Sequence, residues 1–329
     1  MIRCILSILI LSSFNTLSAQ WKKIELPITS GHRALAILPN QSVLLAGSKG
    51  SVALYNPISG IVTNSIVDTV EWEYRASSAL SDSVLLIANA GSPAHIYRST
   101  NAGESWEKVY SNNHASAFID GMVMLNDDHL FAYGDQINNR FLFLESTDGG
   151  ETWAEANLPI AKDTTDAGFA ASNAGILVVG DSLFIAISGR KDNYILCSPN
   201  KGITWHSIQT DMQTGEGAGT FAMAYDNGKL ILAGGSYLTY KDSNKNIQIL
   251  DPKTGVTTKI VSAPRGYRSG IDCHNGTCIS TGTLGTDISY DGGINWTSLM
   301  DERYFAVKHD KGQFYLSGPK GSFATFRRK

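Results

Sequence analysis

Three arginines have the residue type and the positions to bind a negatively charged group. Arg33, Arg75 and Arg268 each stand at the start of a short apolar segment of the 329-residue chain. A guanidinium group binds a carboxylate or a phosphate through paired hydrogen bonds. If the fold brings the three arginines together, they form a site for an anionic small molecule, an acidic glycan or an acidic protein segment.

Other polar residues occupy the equivalent position in the remaining segments. An alignment of these segments by eye places Asp120, Asn173, Thr220 and Tyr304 level with the three arginines. The alternative is that a carboxylate such as Asp120 or Glu73 pairs with an arginine and leaves no charge for a ligand. An alignment error of one residue would turn a side chain to the opposite face of its strand, so both interpretations stay open.

Further candidates stand at the ends of neighbouring segments. Asp135 and Tyr267 each follow a glycine at a predicted strand end, where they could line the same site, although glycine-rich strand ends are also ordinary turns. The predicted ligand-binding residues are therefore Arg33, Arg75, Arg268, Asp135 and Asn173.

No cofactor motif accompanies these residues. The segment Gly215-Glu-Gly-Ala-Gly219 precedes a predicted strand, so no helix follows it to hold a pyrophosphate. The acidic loops at 163–166 and 242–246 lack the glycine and the distal glutamate of a calcium loop. Serine-hydrolase and zinc-protease motifs do not occur. We predict no cofactor and no metal ion, and no catalytic motif is complete.

The elements that must position these residues follow from an internal repeat. One eight-residue pattern, Ser-x-Asp/Asn-x-Gly-x-x-Trp, occurs four times, and divergent copies of the same unit surround Tyr55, Leu250 and Phe326. The pattern includes Asn101 and Trp106, Asp148 and Trp153, Asn200 and Trp205, and Asp291 and Trp296.

Seven units of roughly 44 residues account for the chain beyond residue 19. Each unit contains short apolar segments separated by glycine or asparagine, as in residues 118–158, and no long window has helical periodicity. Four strands in a unit of this length are typical of a propeller blade. We predict an all-β, seven-bladed β-propeller that forms a single domain over residues 20–329.

The ring needs a closing strand, because the seventh unit ends before its fourth strand. Trp21-Lys-Lys-Ile-Glu-Leu-Pro27 has the form of the strand that follows each repeat. Pairing of this segment with Ser322 to Arg328 would remove the exposed strand edges of an open ring. We therefore predict closure by the N-terminal strand.

The repeated turn itself is predicted to be structural. Its Asp or Asn accepts backbone N–H bonds, its Gly takes a positive φ, and its Trp packs between sheets. The pattern resembles the Asp-box, or BNR, repeat of bacterial sialidases, sortilin-type propellers and the photosystem II stability/assembly factor family. The order of segments also resembles exported Bacteroidetes-type proteins that are often labelled oxidoreductase or sialidase-like.

These resemblances imply three kinds of function. An assembly or binding scaffold comes first, and a sialidase-like glycoside hydrolase acting on an acidic sugar is the alternative. For the hydrolase, the arginines would clamp a carboxylate, Tyr304 or Tyr267 would be the nucleophile and Asp120 the acid. Against it, the Phe/Tyr-Arg-Ile-Pro motif of sialidases is absent, and those enzymes have six blades. An oxidoreductase without a dinucleotide fold ranks third.

Composition and the N-terminus suggest the environment. The net charge of -3 and the 17% charged content exclude a nucleic-acid role. Residues 1–19 read as a cleavable signal peptide, so we expect a secreted or periplasmic monomer without a membrane span. Cys273 and Cys278 flank an Asn-Gly hairpin turn, where an oxidising compartment would permit a cross-strand disulfide.

Overall fold

The chain folds into a seven-bladed β-propeller, as the sequence predicts. The computed structural model describes residues 20–159 and 161–328, and the predicted signal peptide lies outside them. Seven four-stranded antiparallel sheets form the blades. One short 3-10 turn, Pro319–Gly321, is the single helical element of the described residues, none of which forms a helix able to cross a membrane.

Blades 1 to 6 each consist of four strands that are consecutive in sequence. Blade 1 contains β2 (His32–Ile37), β3 (Val43–Gly47), β4 (Val52–Tyr55) and β5 (Val62–Ser65). Blade 2 contains β6 (Tyr74–Ala79), β7 (Leu85–Asn89), β8 (Ala94–Ser99) and β9 (Glu107–Asn112). Blade 3 contains β10 (Ile119–Met124), β11 (Leu130–Ile137), β12 (Arg140–Ser146) and β13 (Ala154–Glu155).

The second half of the ring repeats this arrangement. Blade 4 contains β14 (Ile176–Val179), β15 (Ser182–Ser188), β16 (Asn193–Ser198) and β17 (His206–Thr210). Blade 5 contains β18 (Ala218–Asp226), β19 (Lys229–Ser236), β20 (Ile247–Leu250) and β21 (Thr257–Thr258). Blade 6 contains β22 (Arg268–His274), β23 (Thr277–Gly282), β24 (Gly285–Ser289) and β25 (Thr297–Met300). Blade 7 contains β26 (Ala306–Asp310), β27 (Gln313–Ser317), β28 (Ser322–Arg327) and β1 (Gln20–Glu25).

The first strand of every blade lies at the centre of the ring, because each of these strands contacts the first strand of both neighbouring blades. The middle strands have both faces covered by adjacent blades, so they are largely buried, as in β3, where every residue is buried. Outer strands such as β9 are largely exposed. Both faces of a blade therefore contribute to the core.

The N-terminal strand closes the ring in the predicted way. Strand β1 pairs antiparallel with β28, with Trp21 opposite Phe326 and Ile24 opposite Phe323. The Trp21 ring also packs edge-to-face against Tyr304, with ring centroids 5.8 Å apart. Blade 7 is thus assembled from both ends of the described chain.

The four repeated turns connect the third and fourth strands of blades 2, 3, 4 and 6. In the blade 2 turn, Ser99 Oγ accepts a bond from the Gly103 amide at 2.8 Å, and Asn101 Oδ1 accepts one from the Ser105 amide at 3.0 Å. The Trp106 indole packs in the core between blades 1 and 2. In the same way, Trp153, Trp205 and Trp296 pack against blades 2, 3 and 5.

A disulfide links the two strands of one hairpin in blade 6. Cys273 lies opposite Cys278 in the β22–β23 ladder, and the two sulfurs are bonded. Cys197 is buried as a free thiol. The disulfide therefore fastens the inner hairpin of a blade.

Removal of residues 21–27 is expected to destabilise the propeller strongly. Truncation would leave the edge of β28 unpaired and would expose the surfaces that Trp21 and Ile24 cover. We expect a chain beginning at residue 28 to melt at least about 5 °C lower than a chain beginning at Gln20. The exposed-site variant Lys23→Ala serves as the control in calorimetry. An unchanged melting temperature of the truncated chain would contradict the role of β1 in closure.

Candidate functional site

In five of the innermost strands, one residue near the start of the strand bulges out of the ladder and points to the centre of the ring. The pairing register shifts by one residue at each of these places. A β-bulge re-aims its side chain and commonly lies beside functional sites. The bulged residues, which all line one central cavity of about 530 Å³, are Arg33, Arg75, Asp120, Phe221 and Ser269.

Blade 4 departs from this pattern through a longer insertion. Ala167 pairs with Ser188, and the Gly175 carbonyl accepts the Ala186 amide at 2.9 Å. Residues 168–174 therefore stand opposite Ile187 alone, where other blades place one bulged residue. We call residues 168–174 the blade-4 insert. It extends into the cavity, which Gly168, Phe169, Ala170 and Ala171 line.

The blade-4 insert is anchored to blades on the other side of the ring. The Ala171 carbonyl accepts a bond from Arg33 Nη1 and the Ala170 carbonyl one from Arg75 Nη1, both at 3.4 Å. Phe169 stacks on Phe221 of blade 5, with ring centroids 3.8 Å apart. Contacts with blades 1, 2 and 5 show that the insert crosses the centre of the propeller.

A basic wall forms one side of the cavity. Arg33 stacks over the Phe305 ring at 3.9 Å, and Arg75 Nε lies 3.3 Å from the Glu73 carboxylate. Arg303 is exposed and lines the same side. Within residues 20–159 and 161–328, Arg33 makes no ion pair. Burial and the nearby charge of Arg75 lower the pKa of Arg33, so its positive charge is poorly compensated.

Aromatic rings form a second wall. Phe221 is packed between Phe169 and the edge of Tyr267, whose ring centroid is 4.7 Å away. Tyr237 adds a half-exposed ring to the same group. Such rings bury apolar groups and leave hydroxyls for hydrogen bonding. The cavity therefore combines positive charge with rigid aromatic surface.

Two carboxylates form an acidic corner in blade 3. Asp120 is only 1% exposed, and its Oδ2 has no hydrogen-bond partner. Burial and the nearby Asp135 raise the pKa of Asp120 well above its usual value. Burial raises the pKa of Asp135 to about 6, although the Gly168 amide donates to it at 3.3 Å. The corner thus resists carrying two negative charges.

The prediction for Arg268 was wrong, because its side chain is turned away from the cavity. It is 0% exposed and donates to the Asp287 carboxylate at 2.6 Å, which Arg265 also engages. The bulge in β22 falls at Ser269, one residue later, and Ser269 lines the cavity instead. Arg268 therefore belongs to a buried ion pair inside blade 6.

The same one-residue slip affects blades 5 and 7. Phe221 and Phe305, instead of Thr220 and Tyr304, present their side chains to the cavity. The Tyr304 ring packs against Trp21, and burial raises the pKa of Tyr304 to about 12. Tyr304 borders the cavity without offering its hydroxyl there, so it is not placed to act as a nucleophile.

Asn173 is also placed differently from the prediction. It belongs to the blade-4 insert, where its Oδ1 accepts the Met122 amide and its Nδ2 donates to the Ser77 carbonyl, at 2.8 and 2.9 Å. With its amide occupied in this way, Asn173 pins the insert to blades 2 and 3 and does not face the cavity.

The remaining predicted residues do line the cavity, together with others that the sequence did not reveal. They are Arg33, Arg75, Asp135, Asp120 and Tyr267. Burial raises the pKa of Tyr267, which keeps its phenol protonated. The sequence analysis did not predict Arg303 or the blade-4 insert as part of the site, because neither lies at the strand position that was aligned between the units. The length of the segment between β13 and β14 was the available signal for the insert.

Several solved seven-bladed propellers have a similar fold. The structure "YCF48 bound to D1 peptide" is 13% identical, with a TM-score of 0.66, over 94% of this chain and 97% of that one. A virginiamycin B lyase from Staphylococcus aureus with quinupristin is 14% identical, with a TM-score of 0.71, over 94% and 99% of the chains. At these identities the likeness shows the fold alone.

A glycoside hydrolase is similar in fold to the same extent. The GH74 xyloglucanase from Xanthomonas campestris is 14% identical, with a TM-score of 0.66, over 93% of this chain but only 53% of that one. No protein-family model matches the sequence, and no curated protein matches it. Propellers of this shape therefore include proteins with unrelated activities.

The acidic corner predicts that stability falls as the pH rises. An unfolded Asp releases its proton near pH 4, whereas folded Asp135 retains it to about pH 6. At this residue the folded state binds more protons between these values, so the contribution of Asp135 to stability is full below pH 4 and is lost as the pH rises through 6. Between pH 4 and pH 7, we expect the free energy of unfolding of Asp135→Asn to decrease by on the order of 2 kcal/mol less than that of the unmodified protein.

Urea unfolding between pH 4 and pH 7 measures this effect. The exposed-site variant Asp127→Asn is the control and should follow the unmodified protein at each pH. If Asp135→Asn leaves the pH dependence unchanged, the corner does not titrate as described.

Proposed function

We propose that the central cavity binds a carboxylate-bearing segment of another protein and that the propeller serves as a binding or assembly scaffold. The observation that carries this proposal is the positive charge of Arg33, which is unpaired within the described part of the chain. Among the described residues its half-buried charge has no carboxylate within ion-pair distance, and it is disfavoured by burial and by Arg75. A carboxylate from a ligand would supply the missing opposite charge.

The geometry of the guanidinium groups supports the same ligand chemistry. Arg33 and Arg75 each donate one long bond, 3.4 Å, to the carbonyls of the blade-4 insert. Arg75 Nε also donates to Glu73 Oε1 at 3.3 Å. The remaining guanidinium N–H groups are available for charge-assisted bonds, which are about twice as strong as neutral ones. Arg303, exposed at the same wall, adds attraction for an approaching anion.

The aromatic wall favours a protein segment over a small ion. Arginine and tyrosine are enriched where protein interfaces gain most of their binding energy. Phe221, Tyr237 and Tyr267 offer such a surface beside the arginines. One propeller of similar fold has been solved with a peptide bound, which is consistent with this use of the architecture. The leader predicted at residues 1–19 would place this binding outside the cytoplasm.

Hydrolysis of an acidic glycan is the second candidate function. The paired carboxylates Asp120 and Asp135, with raised pKa values, favour it, since glycoside hydrolases use two such groups. However, a Cβ on Gly168 would lie 2.5 Å from Asp120 Oδ2, so the backbone of the insert covers this carboxyl. A substrate would reach Asp135 but not Asp120, and we therefore rank binding first.

Loss of either central arginine should weaken the binding of acidic peptides. We expect Arg33→Gln and Arg75→Gln each to raise the Kd of glutamate-containing peptides by about tenfold or more, the worth of a charge-assisted hydrogen bond. Fluorescence anisotropy measures the Kd. Arg140→Gln, at an exposed turn of blade 3, is the matched control and should change nothing. If both central variants bind as the unmodified protein does, the arginines are not the binding site.

A panel of fluorogenic acidic glycosides tests the hydrolase. The proposal of a scaffold would be replaced by that of an enzyme under two conditions. The unmodified protein would have to turn over a glycoside that Asp135→Asn does not, and it would have to bind no peptide in the assay above. We expect no turnover, because Asp120 is covered.

A further inference from the structure

A groove leaves the central cavity between blades 2, 3 and 4. It has a volume of about 510 Å³ and shares Phe118, Asp135 and Ala167 with the cavity wall, so the two spaces are continuous. Small and polar residues from the loops that precede β8, β10 and β14 line it. They are Gly91, Ser92, Ala115, Ser116, Thr164 and Thr165.

Most polar side chains of this groove are already engaged within the protein. The Gln136 amide donates to the carbonyls of Asp163 and Asp166. The Asp166 carboxylate accepts bonds from the Lys162 and Asp163 amides and from Tyr194. Ser92 donates to the His114 carbonyl. These groups shape the groove and have little capacity left for a ligand.

Asp135 is the exception, and it lies where the groove meets the cavity. Of the contacts made by the described residues, its carboxylate accepts one, a 3.3 Å bond from the Gly168 amide. Its neighbour Asp120 is buried and has a strongly raised pKa, so the negative charge at this point is that of Asp135. No lysine or arginine belongs to the groove lining. The groove is therefore negative, whereas the arginine wall of the cavity is positive.

We propose that the bound segment is bipolar: its carboxylate lies at Arg33 and Arg75, and a basic side chain of the same segment lies in the groove against Asp135. This inference rests on the proposed function and adds the direction in which the segment leaves the cavity. The small residues of the groove leave room for a backbone. A ligand with separated charges of both signs is complementary to the arginine wall and to the groove, whereas a ligand with acidic groups alone is complementary only to the arginine wall.

Peptides with matched charge changes test this arrangement. The probes are acetylated and amidated peptides of about ten residues, in which one Glu and one Lys are separated by one to five Gly, Ser or Phe residues. In partner peptides Gln replaces the Glu or the Lys. At the best spacing, we expect replacement of Lys to weaken binding to the unmodified protein by about tenfold and binding to Asp135→Asn hardly at all.

A second variant leaves Asp135 intact. Thr164→Lys places a positive charge on an exposed position of the groove and should weaken the Glu–Lys peptide more than the peptide that contains Glu alone. Thr214→Lys, exposed at the edge between blades 4 and 5, is the matched control and should not discriminate between the peptides.

The outcomes separate this inference from the proposed function. If peptides with Glu alone bind as tightly as the Glu–Lys peptides and depend on Arg33, the bipolar arrangement is overturned and the central site stands. If no Glu-containing peptide binds, or binding is indifferent to Arg33→Gln, both proposals fail. If replacement of the peptide's Lys weakens binding to the unmodified protein but not to Asp135→Asn, both the proposed function and the bipolar arrangement are supported.

Discussion

The packing of blade against blade is the constraint on which this structure depends. Each four-stranded sheet has two apolar faces, and a sheet with both faces apolar needs a neighbour on each side. Only a closed ring satisfies every blade. Pairing of β1 with β28 completes it, and the repeated tryptophans fill the spaces between consecutive blades. The centre of the ring, where the innermost strands begin, is then left for polar and charged side chains.

Much of the fold was predictable because its determinants are local and repeated. The turn pattern marks the end of the third strand in four blades, and the strand-like segment after residue 20 matches the strand missing from blade 7. Those features depend on hydrogen bonds within a few residues, such as the Ser99 and Asn101 bonds of the blade 2 turn. Blade number and closure follow from them without knowledge of tertiary contacts.

The site was less predictable, because it depends on single-residue register. A bulge re-aims one side chain in five of the blades. The alignment places the cavity-facing residue correctly in β2, β6 and β10 but one position too early near β18, β22 and β26. In a strand a shift of one residue reverses the face, which is why Arg268 is in a buried ion pair with Asp287. Arg303 lies outside the aligned position altogether, so its convergence on Arg33 is visible only in three dimensions.

The blade-4 insert also determines how many ways a ligand can be oriented. Seven blades with similar backbones surround the axis, so without the insert only the side chains of the innermost strands would distinguish one pose of a ligand from another. The insert places Phe169 against blade 5 and two carbonyls against the arginines of blades 1 and 2. It thereby adds an asymmetry of the backbone to the asymmetry of the side chains. One lengthened connection gives the centre of the ring a defined orientation.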